Sequence, residues 1–178
     1  MKKLIGILFI FSAACSGITV HTDRDRDVNM KPYKTYAWAE IKDIEAKNNP
    51  LYYNELSDKR IKTAVNEQLT KKGYSISSEN PQLILHYHIV IEDQMELRND
   101  PYMPYGPYWL QQNINYYRYN EGSLIIDIME AKTNNLAWRG WASSVLDANR
   151  ELNEALIQEG VLRIFKVYPF KAGSESVK

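Results

Sequence analysis

Between Pro81 and Glu92 the chain alternates two kinds of position without interruption, and few architectures can absorb such a segment. Leu83, Leu85, Tyr87, Ile89 and Ile91 share one face of an extended strand, and Ile84, His86, His88 and Val90 share the other, because successive side chains of a strand point to opposite sides. Pro81 opens it, at a position where no ladder donor is needed. A face this apolar calls for a covering layer, and the rest of the chain has to supply it.

Two helical patterns and several further strands are available. Tyr33-Lys34-Thr35-Tyr36-Ala37-Trp38 is aromatic and alternating, a strand signal, and Lys47-Asn48-Asn49-Pro50 is a break. A helix capped by Ser57 runs to Lys72, with Ile61, Ala64, Val65 and Leu69 forming one apolar stripe, and Gly73 stops it. Gly122 introduces the strand Leu124–Met129, Asn134-Asn135 suits a hairpin turn, and the partner strand runs from Leu136 to about Val145. A last helix spans about Asn149 to Val167 and presents Leu152, Leu156, Ile164 and Val167 to a core. Pro169 ends it, and 171–178 read as a loose tail. The order predicts an α/β (α+β) fold: a mainly antiparallel sheet of about four to five strands with two helices packed on one face. Residues 31–170 form that single domain.

Upstream, Lys2 and Lys3 precede an apolar run from Leu4 to Phe11 and the small residues Ser12-Ala13-Ala14. The run has eight residues, or eleven to Ala14. A spanning helix needs roughly 20; a charged start, a short apolar middle and small residues before the cut describe a secretory signal. Ser12-Ala13-Ala14-Cys15 is similar to the lipobox of bacterial lipoproteins, with Ser12 where leucine is usual. Residues 1–14 are therefore expected to be removed, and Cys15, the only cysteine, to carry lipid. The competing reading is an ordinary secreted protein whose mature chain begins with cysteine. One acyl chain binds a membrane only marginally, but a diacylglyceryl thioether with an amide-linked third chain is a lasting anchor. Ser16 stands where aspartate signals inner-membrane retention in enteric-type bacteria, which favours the outer membrane. Residues 15–30, including the mixed charges of Thr22–Asp27, read as a lipidated tether that pairs a strand only late in its length. About fifteen residues reach at most roughly 50 Å.

Without residues 1–14 the chain has 164 residues (178 less 14), and 20 basic residues (22 less Lys2 and Lys3) face 22 acidic ones, a formal charge of −2. That is no footprint for nucleic acid. The length suits one domain with a core that needs no disulfide.

Several segments, in this order, resemble the bacterial lipoprotein family catalogued as domain of unknown function 4136: Tyr33–Trp38, Arg60-Ile61-Lys62-Thr63-Ala64-Val65 leading to Lys72-Gly73-Tyr74, Pro81–His88, and Gly122–Asp127 leading to Trp138-Arg139-Gly140. They cover roughly residues 30–167. That family tends to carry a glycine- and tyrosine-rich insert where this chain has Tyr102–Tyr119, with proline in place of most of the glycine. The resemblance implies the fold and an envelope location. It implies no activity, since the family has no established catalytic residues to carry over.

The aromatic insert, 101–119, is the compositional anomaly, with six of the chain's 13 tyrosines and Trp109. Pro101, Pro104 and Pro107 are each followed by a tyrosine (Tyr102, Tyr105, Tyr108), a spacing that matches the three-residue polyproline II turn. Together with Tyr116, Tyr117 and Tyr119 these rings offer large contact area at small entropic cost, suited to an envelope protein or a glycan; the competing reading folds them back over the sheet. His86 and His88 share a strand face with Glu92 beyond, but zinc takes three or four ligands, and a packed histidine pair is the plainer reading. A hairpin centred on Asn134-Asn135 sets Asp127 opposite Ala142 and Arg139 opposite Glu130, giving Arg139 a cross-strand ion pair. No Gly-x-Ser-x-Gly elbow, phosphate loop or dinucleotide fingerprint occurs, and no cofactor is implied. The expectation is a non-catalytic binding or scaffold domain, membrane-held through Cys15. The alternatives are an envelope hydrolase or metal-binding protein using His86 and His88, and a small-ligand module with a pocket between sheet and helices.

Overall fold

The computed structural model describes residues 17–39, 54–99, 114–146 and 153–174. They form a mixed α+β domain in which a largely antiparallel sheet carries two helices. The strands are β1 (Ile18–Arg24), β2 (Thr35–Trp38), β3 (Ser75–Ile76), β4 (Leu83–Asn99), β5 (Ile114–Glu130) and β6 (Leu136–Leu146); the helices are α1 (Glu55–Lys71) and α2 (Glu154–Val167). Six strands lie in the order β1-β6-β5-β4-β2-β3, antiparallel from β1 to β4 and parallel across β4/β2 and β2/β3. This exceeds the expected four to five by β1 and the two-residue β3.

β1 corrects the reading of 15–30 as tether. Residues 18–24 pair along their length with β6, from Ile18 opposite Ser144 to Arg24 opposite Trp138. Their mixed charge suits an edge strand, where polar side chains meet solvent and discourage further pairing. β4 and β5 run on together past Asn120, opposite which β6 ends, through six further pairs from Gln94/Tyr119 to Asn99/Ile114. Residues 114–119 of the expected irregular insert are therefore strand.

α1 begins at Asn54 rather than Ser57. The extended Asn54 accepts from the Ser57 amide through its side chain, and its own amide donates to Ser57 Oγ, a capping box that buries Ser57. Ile61, Ala64, Val65 and Leu69 are buried as the periodicity requires. At the far end Tyr74 N–H donates to the Leu69 carbonyl and Gly73 N–H to that of Thr70, with Gly73 at φ 88°; only glycine takes that left-handed position without strain.

α2 buries Ile157, Gly160, Val161, Ile164 and Phe165. Val167, expected in the core, is 50% exposed, because the apolar stripe passes instead through Phe165 to Tyr168. Gly140 lets α2 approach β6: a Cβ there would lie 2.2 Å from the Trp138 ring and 2.8 Å from Ile164. Tyr168 packs edge-on against both Trp138 and Phe165 around this contact, with Trp138 and Tyr168 centroids 4.8 Å apart. The start of the expected loose tail is pinned: Ala172 N–H donates to the Lys72 carbonyl and Gly173 N–H to that of Tyr33.

Candidate functional site on the open face of the sheet

The helices cover the face that bears Leu83, Leu85, Tyr87 and Ile89. The opposite face is ordered by register into rows that cross four strands. The first is Asp23–Arg139–Asp127–His86, the second His21–Trp141–Ile125–His88, and the third Thr19–Ser143–Ser123–Val90. All three histidines of the chain stand on this face. His21 stacks on Trp141 with centroids 5.3 Å apart, and the His86 and His88 rings lie parallel at 6.5 Å. Ser123 and Ser143 share a hydroxyl hydrogen bond of 2.6 Å.

The centre of the first row is a fork-to-fork pair. Arg139 Nε and Nη2 donate to Asp127 Oδ1 and Oδ2, each at 2.6 Å. Asp127 is only 5% exposed, although no helix covers its face of β5. Burial opposes its ionisation, but the Arg139 hydrogen bonds, and then His88 with Nε2 at 3.6 Å, outweigh that cost and hold the carboxyl down at about 2. The same pairing pushes Arg139 above the usual guanidinium range. A carboxylate so engaged orients the guanidinium and is not a free general base.

This pairing differs from the expected register. The β5–β6 loop has four residues, 131–134, closed by Glu130 N–H donating to the Asn135 carbonyl at 2.9 Å, with Asn134 left-handed at φ 58°. A bulge between Ile128 and Met129 shifts the ladder once more. Arg139 therefore meets Asp127 and not Glu130, and Ala142 meets Leu124. Glu130 instead accepts from the Tyr33 hydroxyl and from Thr133; burial, then this bond, pushes the Tyr33 phenol up to about 12.

The remaining candidates fall in different places. Cys15, Tyr102, Tyr105, Tyr108 and Trp109 lie outside the described residues. Tyr116, Tyr117 and Tyr119 stand on β5 opposite Leu97, Glu96 and Gln94. His86 and His88 are side by side, but among the described residues no three His, Cys, Asp or Glu side chains gather as a metal site. Trp141, His21 and Asp23 were missed as site residues. The available signal was a single charge in each of two otherwise apolar runs, Leu124–Met129 and Ala137–Ala142. Between sheet and helices an apolar cleft encloses about 30 Å³, lined by both helices and four strands. No described helix is long and apolar enough to cross a membrane.

No curated protein matches this chain. Among solved structures it is similar to a PDZ domain protein from Parabacteroides distasonis, with 16% identity and a TM-score of 0.56, over 85% of this chain and 36% of that one. The likeness is one of fold, and the chain spans about a third of that protein's length. It is also similar to the PelC dodecamer from Paraburkholderia phytofirmans, at 9% identity and a TM-score of 0.49, over 87% of this chain and 99% of that one. The family profile described as Domain of unknown function (DUF4136) matches residues 20–170, and the chain belongs to that family.

Proposed function

We propose that this protein is an outer-membrane-anchored lipoprotein whose domain binds or scaffolds another component of the bacterial cell envelope without catalysing a reaction. The observation that carries the binding reading is the open face itself. A fixed, bidentate Asp127–Arg139 pair lies beside a half-exposed Trp141 stacked on His21, flanked by Asp23 and His88. Flat aromatic area beside oriented charge is the chemistry of recognition, since aromatic anchors and arginine contribute most to interfaces. The tyrosines of the insert, which joins β4 to β5 in the sequence, are the second contact region of this proposal. The anchor is Cys15, supported by the leader and lipobox.

The test is a crosslinking pull-down of the lipidated protein from intact cells, wild type against a His21→Ala/Trp141→Ala double variant. The expected result is a specific adduct that the double variant loses while its circular dichroism stays unchanged. A partner captured equally by both proteins removes the open face as the docking surface. Cys15→Ser should release the protein from the membrane fraction; retention there would refute the lipid anchor.

A further inference from the structure

The apolar cleft sits at one end of the domain, where the chain enters. Ile18, the first residue of β1, lines it together with Ile89 and Ile91 of β4, Leu124 of β5, and Leu156 and Ile157 at the start of α2. Two glycines shape it. At Gly122 a Cβ would come within 2.6 Å of Leu146, which packs over the glycine as one wall, and at Gly160 a Cβ would stand 3.7 Å from Ala142, in space that the glycine leaves open. Ser144 supplies the one hydroxyl of the lining, since the Ser123 side chain lies on the opposite face bonded to Ser143. An enclosed volume of about 30 Å³ has room for about two waters, which need two to four polar partners each. An apolar site of this kind stays dry and takes apolar ligands. At its mouth Ile18, Ile91 and Leu156 remain half-buried, apolar area that an occupant would remove from water.

From the geometry, and resting on the reading of Cys15 as lipidated, we infer that this cleft takes the end of one acyl chain of the protein's own anchor. Cys15 precedes Ile18 by three residues, a span of at most about 10 Å, which keeps the anchor within reach of the cleft mouth. The chemistry matches: a methylene chain needs an apolar wall and no hydrogen-bond partner. One chain held here leaves the others in the bilayer and seats the domain with this end against the membrane that holds Cys15.

The test uses the full chain in cells fed a palmitate analogue with a terminal diazirine, followed by irradiation and mass spectrometry. The expected result is label on Cys15 with intramolecular crosslinks to peptides containing Ile89–Ile91 or Leu156–Ile157. These crosslinks should fall at least tenfold in Ser144→Leu, which fills the cleft. Leu156→Asp, at the exposed mouth, gives the same loss if Ser144→Leu does not fold. Labelled Cys15 whose crosslinks reach only phospholipid, or that ignore both variants, overturns the inference and leaves the anchor standing. Crosslinks to the cleft that carry free phospholipid show a bilayer lipid as the occupant and also overturn it. An unlabelled Cys15 refutes the anchor, and this inference with it.

Discussion

Under the helices β6 presents Trp138, Gly140 and Ala142; on the opposite face the same strand presents Arg139, Trp141 and Ser143. The first set is fitted to α2 so closely that a Cβ at Gly140 would overlap Trp138. The second set makes its contacts sideways, within the sheet: Arg139 to Asp127, Trp141 to His21, Ser143 to Ser123. Two tryptophans three residues apart thus do opposite work. Trp138, 1% exposed, fastens a helix to the sheet, whereas Trp141 is held up beside a charge pair with no helix over it. One face is packed against a helix, and the other makes its contacts within the sheet.

Substitutions can break that division. Trp138→Ala should have the largest effect, about 3–5 kcal/mol in urea denaturation, because it empties the Phe165–Tyr168 packing. A loss below about 1 kcal/mol would mean that this face is not the structural one. Arg139→Leu comes next at about 2 kcal/mol, since it strands the buried Asp127 carboxylate next to His88 alone. This pair also sets an acid response. With its carboxyl at about 2 in the fold against 3.8 unperturbed, Asp127 contributes stability that is fully present above about pH 4 and is lost as pH falls from 4 to 2. The contribution is on the order of 2 kcal/mol, read from denaturation midpoints at pH 5, 3 and 2. In Arg139→Leu burial remains and the counter-charge is gone, so the carboxyl is no longer held down and the stability lost between pH 4 and 2 should shrink or reverse sign.

Smaller effects sharpen the same contrast. Asn54→Ala removes the α1 cap and should cost about 1 kcal/mol, lowering the thermal midpoint without touching the open face. Trp141→Ala should change stability least, by under about 1 kcal/mol, and yet abolish partner capture. A stability loss equal to that of Trp138→Ala would make Trp141 a packing residue.

What was legible in the chain follows the range of each signal. The stripe Ile61–Leu69, the stop at Gly73 and the alternation Leu83–Ile91 are local periodicities, and each forms where it reads. The Arg139 partner was not legible. It depends on a four-residue loop and a bulge, each of which slides the register without altering the hydrophobic pattern. β1 forms earlier in 15–30 than the late strand expected there, and its extent was not legible because, beyond Ile18 and Val20, it has no apolar side to advertise and is a strand by virtue of β6. The open-face site is assembled from residues up to 120 positions apart, His21 to Trp141, so no contiguous motif announces it. Pro169 correctly ends α2, but the stripe drifts to Phe165 and Tyr168, which a count anchored on Leu152 and Val167 misses.

A genetically encoded photocrosslinker placed in cells at position 141 and, separately, at Leu162 decides whether the partner docks on the uncovered face. The second site is 47% exposed, on the helix layer. A discrete adduct should form from position 141 and none from 162. An adduct from 162 alone, or adducts of equal yield from both, would contradict docking there.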